Sequence, residues 1–512
     1  MEKKLKLNIL FFFAVFLFIA GHGVYLNAPW VNLEYSFAEA TRTILNPDYT
    51  VGLKHYWEIE ANPLGYSLIA AVVASFLNVS FWSVRIPSLF GGIVILFAGW
   101  VFYRSKNFKN DSLFFLWVAT ITINPLVWIY SGRAVADILP VGFIVLSFLL
   151  CYCAKGRLWM HFIAGLCFSV ASLVKFNSIL LGLGFVYIIF TDEHGKIRWS
   201  REKGLGFLFY SLLPLFILGM YFLVIYNQFG ILFISEKFKT THFEGHVKNF
   251  ALNVGLYSSY LAITLALLSF LSVIYLLKSC SRKTFLILIF ISVILGTIFL
   301  KIQSDPDAFT GEMGFGGFYD KLMSNKVASL IRVGNLLLAF FLFVQLMDSA
   351  FRERNKIALF LVCTLFPFLI ISSFSRPAQR YLLFCLPFLT FYLIVVLGSS
   401  MPRLIQWLGW SSVIIFVVIT SLSIFYQIGQ GKASENMVQW IILNDYLKDT
   451  EPGSIMPHAG HYFIQDIGGS KKYIVIEGTR PQSFLHQESV MVFGKGVKTY
   501  YFMEQAPLCL SK

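Results

Sequence analysis

Charge is what this sequence has least of. Only 13% of its 512 residues are Asp, Glu, Lys or Arg, roughly half of what a soluble globular chain carries, which excludes a water-facing surface over most of the length. Cysteine is scarce too. The seven present sit mostly inside apolar runs, without the pairing of a disulfide framework or the spacing of a zinc site. His458 and His461 stand three apart with no evident third ligand, so no cofactor is firmly indicated and a divalent metal is left open. The sequence also lacks a glycine-rich nucleotide loop, an internal repeat and a low-complexity tract. No small-residue cleavage site follows the first apolar run, only the bulky Tyr25 and Leu26, so that run is expected to stay as an anchor.

What is abundant is apolar length. Hydrophobic residues make up 57% of the chain, in repeated runs of about 16 or more, enough to cross a hydrocarbon core of about 30 Å as helix. The formal charge of +14 does not point to nucleic acid, because the basic residues are dispersed between these runs. The clusters are Lys3/Lys4/Lys6, Arg104/Lys106/Lys109, Lys155/Arg157, Lys196/Arg198/Arg201/Lys203, Lys278/Arg282/Lys283 and Arg352/Arg354/Lys356. That is the positive-inside pattern of a multi-pass protein in a lipid bilayer. With the N-terminus cytoplasmic, an even number of crossings must separate each cluster from the next. The run 64–77 is about 14 residues, near 21 Å as a helix and too short to span. It is therefore laid on the outer surface, with Asn62 as N-cap and Pro63 at the first helical position. About thirteen spans remain: 9–25, 88–103, 113–130, 137–154, 158–174, 178–191, 205–226, 250–277, 284–300, 327–347, 357–374, 381–397 and 404–425.

The expected architecture is an all-α polytopic membrane domain, 1–425, with juxtamembrane helices in its first outer loop, 26–87. A small extracytoplasmic α/β domain, 426–512, follows. There Ser434 is expected to cap a helix bearing Val438, Ile441, Ile442 and Leu447 on its apolar face. Tyr473–Glu477, Ser489–Phe493 and Val497–Met503 read as strands.

This topology brings ionisable residues from distant segments to the outer face: Glu34, Glu39, Asp48, Glu58 and Glu60, then Arg133 and Asp137, Lys175, and Arg376 and Arg380. Ionisable groups near membrane depth are costly and are functional candidates by default. Each also has a plainer reading. Glu39, Asp48 and Glu58 suit solvated surface, Arg133 and Asp137 suit an i,i+4 helix pair, and Lys175 and Arg380 suit snorkelling anchors. His55-Tyr56-Trp57 suits an interfacial aromatic belt.

Several short motifs in residues 26 to about 190 resemble the catalytic module of the protein O-mannosyltransferase and aminoarabinose transferase superfamily, the GT-C fold. Leu33-Glu34 followed by Phe37-Ala38-Glu39 is similar to that family's Asp-Glu pair and Tyr-Ala-Glu helix. Glu60-Ala61-Asn62-Pro63-Leu64 is similar to its Glu-Lys-Pro-Pro-Leu, and Arg85-Ile86-Pro87-Ser88 to its Arg-x-Pro-Ser. Arg133, Asp137 and Lys175 fall on its Arg-x-x-x-Asp and its later lysine, and Arg380-Tyr381-Leu382-Leu383 on its last outer-loop motif. Leu33 stands where the family has Asp, and Ala61 where it has Lys.

The resemblance implies a plasma-membrane glycosyltransferase that takes sugar from a polyprenyl-phosphate donor. The acceptor would be a glycolipid, glycan or protein on the extracytoplasmic face, and the anomeric carbon would invert. Such a reaction needs a carboxylate to accept the acceptor's proton and cations to neutralise the departing phosphate. Glu34 is the expected base, with Glu60 or Asp137 as second acid or sugar binder. Lys175 and Arg380 would hold the phosphate with Arg133 beside them, and Glu39 and Arg85 would support the site. Two other classes stay open. A polysaccharide polymerase or ligase would favour arginine-rich outer loops. A transporter or flippase of lipid-linked sugar would favour mid-membrane charges, broken helices and a two-fold repeat, and the sequence reading finds none of these.

Overall fold

The computed structural model describes residues 2–30, 34–46, 63–230, 249–302, 325–446 and 473–504, apart from 107, 109, 193–194, 376–377, 400, 478–480, 482–483 and 493–494. The first helices are α1 (Glu2–Leu26), α2 (Glu34–Leu45), α3 (Gly65–Leu77) and α4 (Ile86–Ser105). There follow α5 (Asp111–Ile123), α6 (Pro125–Ser131), α7 (Ile138–Cys153), α8 (Leu158–Val174), α9 (Gly182–Phe190) and α10 (Arg201–Phe229). The second half contributes α11 (Phe250–Leu265), α12 (Phe270–Ser279), α13 (Arg282–Ile302), α14 (Asn325–Phe351), α15 (Lys356–Ser372), α16 (Leu386–Phe391) and α17 (Pro402–Leu443).

Among the described residues, seven helices are long and apolar enough to cross a membrane, and the bent pair α5–α6 makes an eighth. Shorter apolar helices occupy the other five places where spans were expected. Exposed Leu215 and Phe216 on α10, and Phe290 on α13, give these helices apolar outer faces that water would not tolerate and lipid would.

Packing follows small residues. A Cβ on Gly91 of α4 would stand 2.6 Å from Leu139 Cα, and one on Gly142 of α7 would stand 2.7 Å from the Gly91 carbonyl oxygen. Only glycine lets α4 and α7 approach this closely. The short α3 is held against α8 the same way, because a Cβ on Gly65 would meet the Leu173 carbonyl at 2.4 Å.

Three sequence expectations change here. Helix α3 starts at Gly65, after Leu64 as N-cap with no side-chain cap bond. Pro63 thus precedes the helix, the Leu64 N–H donates to Tyr221 Oη at 3.2 Å, and Asn62 lies outside the described residues. The expected continuous span 113–130 is broken, with a 57° bend between α5 and α6. Pro125 has no N–H and clashes with the preceding turn. The freed groups are satisfied from neighbours: the Asn124 side chain accepts from Leu126 N–H and donates to the Thr264 carbonyl at 2.9 Å, and Thr420 Oγ1 donates to the Ile123 carbonyl at 2.8 Å. Finally, Ser434 caps nothing. It lies inside α17, its hydroxyl donating to the Gln430 carbonyl, because the last span runs on unbroken as helix to Leu443.

The strands β1 (Tyr473–Glu477), β2 (His486–Val492) and β3 (Lys495–Glu504) form an antiparallel sheet in the order β1-β3-β2. Trp440 near the end of α17 stacks on His486 and meets Phe502 edge-on. These contacts seat the sheet on the helix.

Candidate functional site

Two buried ionic clusters stand side by side at one end of the bundle. The first is built on Arg85, which caps the start of α4, and Glu34, which opens α2. Both are fully buried. Arg85 Nε donates to Glu34 Oε1 at 2.8 Å and Nη2 donates to Oε2 at 3.0 Å, the bidentate geometry that a planar guanidinium favours. The remaining guanidinium hydrogens go to the carbonyls of Tyr25, Leu26, Ala28 and Pro29, so Arg85 clasps the end of α1 to the start of α2. Ala134 N–H adds a third bond to Glu34 Oε1 at 2.7 Å. Burial works to raise the Glu34 pKa, but Arg85, Arg133 and the Ala134 N–H together hold it below its ordinary value.

Glu34 was expected to act as base; its carboxylate is fully buried and takes bonds from Arg85 and from Ala134 N–H, an arrangement that anchors the Arg85 side chain. Glu39 was expected to support the site, with solvated surface as its plainer reading. It is buried instead and pairs with Arg42 one turn along α2, while Arg42 lies over the Trp30 ring at 5.2 Å.

The second cluster is built on Asp137, which precedes α7 and is 3% exposed. Lys175 Nζ donates to Asp137 Oδ1, and Arg380 Nε stands 3.8 Å from the same oxygen. Lys175 is extended between α8 and the 3-10 turn Phe176–Leu181, so its side chain turns inward from the helix axis. It is buried, contrary to a snorkelling anchor. Tyr381 forms a floor under both cations, with Lys175 Nζ 4.8 Å and the Arg380 guanidinium carbon 5.7 Å from the ring centre.

Arg133 joins the clusters. Residues 132–137 form turns and not helix, so Arg133 and Asp137 are no i,i+4 helix pair. Arg133 Nε lies 3.9 Å from Glu34 Oε2, and its charge also acts on Asp137. The structure thus brings together Glu34, Arg85, Arg133, Asp137, Lys175 and Arg380. Glu60, Asp48, Glu58, Arg376, His55, Tyr56, Trp57, His458 and His461 lie outside the described residues. Among the described residues no group of three His, Cys, Asp or Glu is placed to hold a metal ion.

Two residues that sequence reasoning passed over position this site. On α11, Asn253 donates to the Ser373 carbonyl at 2.9 Å, and Tyr257 Oη accepts from Ala378 N–H at 3.0 Å. They grip the segment leading to Arg380. Their signal was present: two polar residues four apart on one face of an otherwise apolar span.

No family model matches the chain, and no curated protein does. Among solved structures the chain is similar to two crystal structures of ArnT from Cupriavidus metallidurans, one in the apo state and one bound to undecaprenyl phosphate. Each is 13% identical and aligns over 76% of this chain and 79% of that one, with TM-scores of 0.36 and 0.38 respectively. With TM-scores this low, the functional reading rests on the geometry of the two clusters.

Proposed function

We propose that the chain is a membrane glycosyltransferase that moves a sugar from a polyprenyl-phosphate donor to a hydroxyl of a glycolipid, glycan or protein. The reaction is placed at the extracytoplasmic face of the plasma membrane. The observation that carries this reading is the convergence of Lys175, Arg380 and Arg133 on the one carboxylate of Asp137 at a bundle end. Cations gathered at the ends of apolar helices suit a phosphate that arrives attached to a lipid. The sequence motifs around Arg85, Asp137, Lys175 and Arg380 agree with that chemistry.

The cluster also supplies a base. As the donor phosphate enters, Lys175 and Arg380 exchange Asp137 for the phosphate oxygens. Asp137, relieved of its cations, regains basicity and takes the proton of the acceptor hydroxyl. The acceptor oxygen bonds to the anomeric carbon as the bond from that carbon to the phosphate oxygen breaks. The carrier phosphate leaves with the electron pair, and Lys175 and Arg380 neutralise it. One displacement opposite the leaving group inverts the anomeric carbon. Glu34 and Arg85 hold α1, α2 and α4 in register around this event.

The test is Asp137→Asn in purified protein supplied with a synthetic polyprenyl-phosphate sugar. Turnover should fall about 10²–10⁴-fold, the usual effect of losing a general base, with the donor still bound. Unchanged turnover would remove Asp137 from the chemistry. A second reading, a carrier of lipid-linked sugar, is favoured by the span broken at Asn124–Pro125. A carrier would return the donor intact and release no carrier phosphate in the same assay.

A further inference from the structure

Several buried carboxamides in this bundle are bonded where they hold helices together. Asn124 donates to the Thr264 carbonyl and Asn253 to the Ser373 carbonyl. Gln345 accepts from Ser272 Oγ at 2.7 Å and donates to Tyr392 Oη at 3.2 Å. Gln379 differs. It is 2% exposed, yet among the described residues neither its NH2 group nor its carbonyl oxygen has a hydrogen-bond partner. A glutamine side chain carries two donors and two acceptor lone pairs. Enclosing all of them unmet is costly, and a buried group in that state calls for a function.

Its place in the chain says which. Gln379 opens the 3-10 turn Gln379–Phe384. The same turn carries Arg380, 3.8 Å from Asp137, and Tyr381, the ring beneath Lys175. It packs against α6 and α7, the two helices that flank Arg133 and Asp137. The carboxamide is therefore on the residue next to a phosphate-binding arginine of the proposed reaction, with adjacent Cα atoms about 3.8 Å apart. The donor offers three kinds of surface at this place. Its isoprenoid chain has no polar group. Its phosphate diester has no proton to give, so it could meet the NH2 group but would set an oxygen against the glutamine carbonyl. Only the sugar hydroxyls both donate and accept, and so answer both ends of the carboxamide.

We propose that Gln379 binds the donor sugar, its carbonyl accepting from one ring hydroxyl and its NH2 group donating to a neighbouring one. This rests on the polyprenyl-phosphate reading above and deepens it: the group transferred is a sugar with two adjacent unsubstituted hydroxyls close to its phosphate. Lys175 and Arg380 hold the phosphate, and Gln379 selects what is attached to it.

The experiment uses the full chain in nanodiscs and measures donor affinity by native mass spectrometry. The probes are polyprenyl phosphates carrying glucose, galactose, mannose, xylose or arabinose, compared with polyprenyl methyl phosphate, a diester of the same charge with no hydroxyl. Wild type should bind at least one sugar diester roughly 10- to 100-fold more tightly than the methyl diester, two neutral hydrogen bonds contributing up to about tenfold each. Gln379→Met, unbranched and of similar length, should erase that preference and keep the affinity for the methyl diester. Gln379→Asn, which draws the carboxamide back by one methylene, should lose most of the preference and supplies the test if the methionine variant does not fold. A preference that survives in both variants would overturn the assignment, as would a wild type that binds every sugar diester no better than the methyl one. Failure of the underlying reading looks different: wild type would then bind no diester at all, or would bind the sugar diester and return it intact in the presence of acceptor.

Discussion

Glu34→Gln separates a structural carboxylate from a catalytic one. In the native arrangement the carboxylate takes bonds from Arg85 at 2.8 and 3.0 Å and from Ala134 N–H at 2.7 Å, with both charged partners fully buried. Glutamine keeps the shape but presents an NH2 group to surroundings made of donors, and it leaves the Arg85 charge enclosed without its counter-ion. Breaking a buried pair from one side costs about 3–5 kcal/mol, roughly two to three and a half decades in the folding equilibrium. The loss should appear as a lowered unfolding midpoint and greater protease sensitivity in detergent micelles. It should be largest near neutral pH. A carboxyl held below its ordinary value contributes stability above that ordinary value and loses it as pH falls through the lowered one, and Gln removes that dependence. Turnover per folded molecule should stay within about tenfold of wild type, well short of the 10²–10⁴-fold loss of a missing base. A variant as stable as wild type whose turnover per molecule drops a hundredfold would refute the clamp and make Glu34 the base.

Other expectations follow from the same geometry. Lys175→Ala should lower turnover and raise the donor KM together, with Lys175→Arg recovering only part because a planar fork does not replace a compact ammonium; full activity in both variants would take Lys175 out of the site. Gly91→Val should force α4 from α7 and destabilise by about 1–3 kcal/mol or more, measured by thermal unfolding, whereas Gly219→Val, with nothing within 4 Å of the added Cβ, should be nearly neutral. A C-terminal alkaline phosphatase fusion should be active and a green fluorescent one dark, placing the sheet and the Asp137 cluster outside; the reverse result would invert the topology.

The membrane character, the helical class and the places of the apolar helices were legible in the sequence, though not that the last helix runs on to Leu443. The three strands were legible too, since apolar run length, basic punctuation and period-two alternation are local properties of the chain. Arg133, Asp137, Lys175 and Arg380 were legible as a group because each stands out as an ion among apolar neighbours, and parity put them on one side. Their pairing was not. Whether Glu34 is a base or a clamp depends on Arg85, 51 positions away, and on the orientation of the Ala134 N–H. Only the packing of α1, α2 and α4 brings these into contact. The break at Asn124 has a similar origin. Proline at 125 marks a place where a helix can fail, but the bend is stable there because Thr264 and Thr420, distant in sequence, satisfy the polar groups it exposes. The grip of Asn253 and Tyr257 on the Arg380 segment is likewise a property of two surfaces meeting. Local pattern decides what a segment becomes; which buried charge answers which is decided by contacts that exist only once the helices have packed.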